Sequence, residues 1–378
     1  MSAAYDIAVA GSGFAGSLMA MIARRLGLSV VLLESLAERY DLPLLKPLTK
    51  WGSWQQRYPH VACGLKRGFS FVHHEFGACS GMGDGQLVVA ASPNDTIADA
   101  HWYRADVDQA LVVQAQALGA EYLDRFQVDE LQREQAGWMI RGRRSGTPRT
   151  LRAKFLIDAT GPRGLLHREL GLAEARLPNY PATAALYSHF SGVREFAQLA
   201  PGVHTPFPLD AAALHHVFAG GSIWVLRFNN GITSAGVAAT AEVAARFHLA
   251  KKAEGWRNLL AELPQVREQF AEACAEMPFT YMPELSYRSA AVAGPGWAML
   301  PSTAGFVDPL LSTGFSLTLL GITRLAALLE QDWESDRMGL RLAEYTGQTE
   351  EELLATSRLI AALYGNMGDF PTFRCLSL

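Results

Sequence analysis

The sequence predicts an α/β fold: a parallel-sheet, dinucleotide-binding domain interrupted by an antiparallel sheet and followed by C-terminal helices. Three observations carry this expectation. The chain opens with a complete strand, glycine turn, helix and second strand. A further buried strand near residue 155 ends in a small-residue turn. From about residue 170 to 290, apolar and polar residues alternate as they do in antiparallel strands.

The opening unit is YDIAVAGSGFAGSLMAMIARRLGLSVVLLES. Tyr5 to Ala10 is a short apolar strand, the segment to Leu26 an apolar helix, and SVVLLE the second strand. In the GSGFAG turn, Gly11 makes the tight bend, Gly13 lets a pyrophosphate approach the backbone, and Gly16 lets helix and strand pack closely. Phe14 and Ala15 open the helix, where free N–H groups and the positive end of the dipole meet phosphates. Glu34 ends the second strand 18 residues after Gly16, where a carboxylate can accept the ribose hydroxyls.

Two later segments add to this unit. HWYRADVDQALVVQAQALGAEY is an amphipathic helix led by Arg104 and followed by a strand, and FLIDATGPRG is a buried strand ending in Asp158 and a turn through Ala159, Thr160 and Gly161. These three segments lie far apart in sequence, so an extended cofactor lying across one sheet would draw on all of them. In the middle stretch, LYSHFSGV, ALHHVFAGGSIWVLRF and ITSAGVAA read as strands of a second sheet. RRSGTPRT is a basic hairpin turn.

Near the C-terminus, AGFVDPLLSTGFSL leads into an apolar run with helical spacing. Asp308 is expected as its N-cap and Pro309 as its first helical residue. Ser312, Thr313 and Gly314 leave the first turns small and open, although Gly costs roughly 1 kcal/mol against Ala in a helix.

Composition excludes several classes. With 378 residues and a formal net charge of -4, nucleic acid is not an expected partner. No uninterrupted apolar run reaches the roughly 20 residues of a membrane span. The N-terminus lacks a leader pattern, and the four cysteines are scattered without metal-ligand spacing. Reduced thiols, a cytoplasmic location and no metal site are the corresponding expectations.

Taken in order and spacing, the N-terminal unit, the ATG turn and the GFVDPLxSTG helix start resemble the flavin-dependent halogenase-like branch of the FAD monooxygenase superfamily, tryptophan halogenase-like oxidoreductases included, from residue 1 to about 370. The resemblance implies an FAD-binding Rossmann-type (GR2-like) domain with an inserted antiparallel-sheet substrate domain and C-terminal helices. Its expected boundaries are 1–36, 98–168 and 288–330 for FAD, 37–97 and 169–287 for substrate, and 331–378 for the terminal helical segment. It also implies that Asp308, Pro309, Ser312, Thr313, Gly314 and Phe315 lie against the flavin, with chloride or bromide beside Thr313 and Gly314. In such proteins reduced flavin activates oxygen, and a halogenase relays hypohalous acid to a lysine. Here CGLKRGFSFVHH offers Lys66, which strict alternation puts on one face with Gly68, Ser70, Val72 and His74.

Some positions depart from the family pattern. Its Trp-x-Trp-x-Ile signature falls in GGSIWVLRF, where Ser222 stands for the first tryptophan, Trp224 is the second, and Leu226 and Arg227 replace the Ile and the Pro. Leu311 stands where tryptophan halogenases carry an acid, and Ser302 where many members carry a Gly-Asp acid. Glu34 runs straight into SLAERYDLPLLKPL, so a Gly-Glu-Ser-type loop is missing, and the chain stops in an apolar run as though a further helix followed. Adjacent histidines (His73 and His74, His215 and His216) point to opposite sheet faces, so neither pair is a chelate.

The expected function is an FAD-dependent oxidoreductase using reduced flavin and oxygen to hydroxylate or halogenate an electron-rich aromatic group. That group belongs to a small molecule or to a side chain of a partner protein. A separate flavin reductase is expected, because no second dinucleotide fingerprint is present. The altered signature tilts the expectation toward a product indifferent to halide. The alternative from another class is a flavin-binding scaffold or maturation partner without oxygenase activity.

Overall fold

The computed structural model describes residues 3–36, 60–78, 85–199 and 205–378. The connection after Glu34 lies mostly outside them, so the expectation of a missing loop there is not addressed by the described residues.

The first sheet is built by β1 (Ala3–Ala10) and β2 (Val30–Leu33), joined through helix α1 (Phe14–Arg25). Next come β3 (Cys63–Lys66), β4 (Gly68–His73), β5 (Gln86–Ala90) and β6 (Asp99–Trp102), followed by helix α2 (Arg104–Ala117) and β7 (Glu121–Leu123). Strands β8 (Phe126–Glu134), β9 (Gly137–Arg144) and β10 (Thr147–Asp158) then run as a meander. The turn between β9 and β10 places Ser145 at φ 49° and Gly146 at φ 85°. Two successive positive φ values make a turn whose twist matches the strands.

Strands β7, β2, β1 and β10 lie side by side in parallel, with Trp297–Met299 as the next parallel strand. Because β2, β1 and the end of β10 (Phe155–Ile157) are covered on both faces, they are near-continuous apolar runs rather than alternating ones. Val9, Leu32 and Ile157 are fully buried.

The second sheet holds β11 (Thr183–Ser191), β12 (Ala213–Phe218), β13 (Gly221–Arg227) and β14 (Thr233–Thr240). Its order is β11, β14, β13, β12, β4, β5, with short edge strands beyond β11. All these pairings are antiparallel except β12 with β4. One face packs against helices α3 (Ala241–Arg246), α4 (Ala253–Ala261) and α5 (Pro264–Gln269), through Leu214, Phe218, Val243, Leu259 and Val266. The other face meets the last helices. Helix α6 (Thr313–Asp332) packs on α1. Helix α7 (Met338–Gly365) and helix α8 (Phe370–Leu376) bring Ile360, Leu363, Phe370 and Phe373 onto Phe71 and Val217.

Strands β3 and β6 form a two-stranded ribbon of their own, Lys66 opposite Asp99 and Gly64 opposite His101, so the boundary drawn at 97/98 runs through it. The stretch Leu310–Asp332 is long and apolar enough by length and composition alone to cross a membrane. It packs on α1 and α7, and Arg324 within it makes a paired contact to Glu352 at 2.6 and 2.7 Å.

Candidate functional site

The nucleotide end is assembled from the first glycine turn. A Cβ on Gly11 would lie 2.5 Å from the Ala159 carbonyl oxygen, and one on Gly16 would lie 1.9 Å from the Gly11 carbonyl oxygen. Only bare backbone allows α1, β1 and the Ala159–Gly161 turn to approach this closely. The turn itself is fixed by buried Asp158, which accepts from Thr160 N (2.9 Å), Thr160 Oγ1 (2.6 Å) and Leu166 N (2.6 Å). Gly161 N donates to Thr303 Oγ1, tying this turn to the segment before α6.

An open cleft of about 370 Å³ lies beside the first glycine turn, lined by Ser12, Gly13, Glu34, Tyr103, Arg104 and Asp108 among others. Glu34 accepts from Ser12 N and Oγ through one oxygen and from Ser35 Oγ and Leu36 N through the other. Burial opposes its ionisation, but these hydrogen bonds outweigh burial and hold the carboxyl below the ordinary range. The Phe14 N–H at the start of α1 donates to Asp108 Oδ1 at 3.1 Å, and Arg104 pairs with both oxygens of Asp108 at 2.8 and 2.7 Å. A carboxylate thus sits where a helix N-terminus attracts an anion, with an arginine on its far side. Backbone donor, arginine and open cleft suit a pyrophosphate. The residues present therefore fit the nucleotide end of FAD. Asp108 was missed in the sequence, although its spacing of four from Arg104 on a helix was the available signal.

The start of α6 departs from the expected cap. Asp308 does not cap the helix, and Pro309 is not its first residue. Leu310–Ser312 form a single tight turn, Leu311 and Ser312 take left-handed φ values of 62° and 54°, and the α-helix begins at Thr313 with no side-chain cap. The Asp308 carboxyl is buried and spent locally: Oδ1 accepts from Leu310 N at 2.9 Å, and Oδ2 from Tyr364 Oη at 2.9 Å and Tyr180 Oη at 3.2 Å. Burial pushes its pKa up to about 6. Two successive non-glycine residues in the left-handed region cost of order 1 kcal/mol or more each. Their effect is to leave the first-turn N–H groups of α6 facing outward without intrahelical partners.

Phe315, in that first turn, stacks on Phe14 at 5.1 Å and meets Trp102 edge-on at 4.9 Å, while the Arg104 guanidinium lies 4.7 Å over the Phe14 ring. Gly13, Phe14, Arg104 and Phe315 are therefore brought together. Beside Thr313 and Gly314 the enclosed space is only about 10 Å³, the size of one water. Trp224 of the altered signature shares a small apolar cluster with Phe306, just before this turn. Arg227 points elsewhere, to Asp210 Oδ1 and to the carbonyls of Val193 and Arg194.

Lys66 occupies a chamber that alternation did not foresee. Its Nζ lies 4.6 Å over the Phe69 ring, on the side of Phe69 and Phe71 rather than with Ser70 and His74. The reason is Arg67, which interrupts the strand. Its N–H donates to the Ala211 carbonyl, and its own carbonyl accepts from Ala91 and Ser92. The chain thereby leaves the β3–β6 ribbon and enters the second sheet, and the two-residue period restarts.

Phe71 stacks on His215 at 5.5 Å and meets Phe373 edge-on at 5.5 Å. Burial lowers the proton affinity of Lys66 and nearby Asp99 partly restores it, while among the described residues Lys66 has no salt bridge. On the opposite sheet face, His74 Nε2, His216 Nδ1, His216 Nε2 and Gln269 Oε1 form a buried relay of 2.9 and 2.8 Å bonds.

No family model matches the chain. In sequence it is similar to monodechloroaminopyrrolnitrin halogenase PrnC of Pseudomonas fluorescens, 26% identical over 396 residues that cover 97% of this chain and 69% of that protein. It is also similar to tetracycline 7-halogenase of Kitasatospora aureofaciens, 27% identical over 404 residues, covering 93% and 68%. Among solved structures, halogenase PltM in complex with phloroglucinol and FAD matches with a TM-score of 0.85 at 26% identity, covering 99% of this chain and 79% of that one. In sequence and in fold the relatives of this chain are flavin-dependent halogenases, and the resemblance of its motifs to the halogenase-like branch of the FAD monooxygenase superfamily holds along its length.

Proposed function

We propose that the chain halogenates an electron-rich aromatic substrate, as an FAD-dependent oxidoreductase supplied with electrons by a separate flavin reductase. Bound and reduced, FAD would supply the oxygen-activating chemistry. Ser12, Gly13, the Phe14 N–H and Arg104 would hold its pyrophosphate, Glu34 its ribose, and the bare first turn of α6, from Ser312 to Phe315, its ring end. A halide would sit beside Thr313 and Gly314.

The observation that carries the proposal is Lys66: a half-buried amine without a counter-ion among the described residues, poised over the Phe69 ring. Burial favours its neutral form, whose lone pair can engage an electrophilic halogen. Relatives that are halogenases along nearly the whole chain favour this chemistry over hydroxylation. Hydroxylation keeps one specific observation in its favour, the Ser222 and Arg227 replacements.

The test supplies the protein with a flavin reductase, NADH, FAD, oxygen, bromide or chloride, and phloroglucinol as probe, with products read by mass spectrometry. Halogenated phloroglucinol from the wild type, absent with Lys66→Ala while flavin binding and oxygen uptake persist, is the expected result. A hydroxylated product indifferent to halide would replace the reading by hydroxylation. Flavin binding without any oxygenated or halogenated product is what a flavin-binding scaffold would give.

A further inference from the structure

Two buried histidines border the Lys66 chamber, and each carries a ring nitrogen with no partner among the described residues: Nε2 of His101 and Nδ1 of His215. His101 stands on the same face of the β3–β6 ribbon as Lys66. Lys66 pairs with Asp99, and His101 lies two residues further along that strand, opposite Gly64. It is thus the diagonal neighbour of Lys66, at a separation long side chains bridge. Gly64 carries no side chain there because backbone takes its place: a Cβ would strike the Arg227 carbonyl oxygen at 1.8 Å and come within 3.4 Å of the His101 Cβ, so Arg227 backbone borders the same face.

The Ala212 carbonyl lies by the His101 ring and favours a proton on it, which with Nε2 unpartnered is the tautomer protonated at Nδ1. Nε2 is then a bare lone pair, at a residue only 8% exposed. A buried acceptor without a donor is costly, and native structures supply one. The donors and charges facing this spot are Lys66 and Asp99 from the ribbon and His215 from β12. His215 leans on Phe71, and Asp99 can only accept. Both histidines feel the Lys66 charge, and burial together with that charge pushes each down to about 3. Both are therefore neutral whenever Lys66 is protonated. Among the described residues the Lys66 amine, now over the Phe69 ring, is the donor this geometry favours, with His215 the other one near the spot.

We propose that His101 is a positioning residue for Lys66: its Nε2 lone pair accepts one N–H of the amine and holds the remaining face of that nitrogen toward the aromatic chamber. The inference rests on Lys66 being the working amine, but its test reads the amine itself and not the product.

The full-length protein is labelled competitively with acetic anhydride between pH 6 and 11, and acetylation of the Lys66 peptide is quantified by mass spectrometry. Removing an acceptor for the ammonium in a dry chamber leaves burial less opposed. His101→Phe should therefore lower the apparent pKa of Lys66 by about one pH unit, a tenfold change in the ratio of amine to ammonium. His101→Gln, which keeps an acceptor oxygen, should restore the wild-type value. A Lys66 titration that is unchanged or raised in His101→Phe would overturn the proposal, as would equal values for Phe and Gln.

Should His101→Phe fail to fold, the reciprocal measurement is the ¹⁵N shift of His101 Nε2 in wild type and Lys66→Met. A shift that moves toward that of an unbonded ring nitrogen supports the contact, and an unmoved one overturns it. Loss of halogenated product with normal Lys66 titrations would instead count against the functional reading alone.

Discussion

Glu34 shows how a single side chain can be ready before its ligand arrives. Both oxygens already accept from Ser12, Ser35 and Leu36, so the carboxylate is ionised and oriented over the cleft. Losing a charge-assisted contact to ribose costs about 1.5–3 kcal/mol, tenfold and upward in affinity. Glu34→Ala should therefore raise the dissociation constant of FAD at least tenfold by fluorescence titration. An unchanged constant would leave the acid as a strand-end residue only.

Asp308 is the opposite situation, a carboxyl whose surroundings favour the proton. Its folded pKa is raised to about 6, above the unfolded value near 3.9. The folded state therefore binds the proton more tightly, and this contribution is fully present below pH 4 and lost as pH rises to 6. The difference corresponds to about 3 kcal/mol. Asp308→Asn, which keeps an acceptor for Tyr180 and Tyr364, should flatten the stability profile between pH 4 and 6 in urea titrations. A variant that keeps the wild-type slope would show that another group titrates there.

Among the elements, the last helix bears most directly on the chamber. Phe373 is fully buried and meets Phe71 edge-on, and its neighbour Phe370 stacks on His73 at 5.1 Å. Truncating a buried Phe costs about 3–5 kcal/mol. Phe373→Ala should lower the urea midpoint accordingly and make Lys66 easier to acylate. An unchanged midpoint would mean α8 is not held by this ring.

The same scale shows what the sequence could reveal. The opening unit was legible because its glycines encode contacts within a few residues: Gly16 clears the Gly11 carbonyl whatever the rest of the chain does. The helix behind Arg104 and the Ser145–Gly146 turn were legible for the same local reason. The face of Lys66 was not, because Arg67 hands its hydrogen bonds to Ala211, Ala91 and Ser92, partners invisible to a count of twos. Nor was the start of α6. Asp-Pro obeys capping rules, but Leu311 and Ser312 carry no signal for left-handed backbone. Only the Tyr180 and Tyr364 hydroxyls, more than 50 residues away on either side, turn the Asp308 carboxyl from the helix.

Across the whole molecule, this site is a meeting of distant segments: Lys66 and His101 on the β3–β6 ribbon, Phe69 and Phe71 on β4, His215 on its parallel neighbour β12, and Phe373 on α8. Its parallel β12–β4 pairing and the return of α8 are non-local contacts, the kind that slow folding. Phe71 and Phe373 lie about 300 residues apart. At roughly 5–20 residues per second, a ribosome would take about 15–60 s to supply the second after the first. During the later part of that interval Phe71 can already stack on His215 but still lacks its edge-on partner Phe373, so this wall closes late in synthesis.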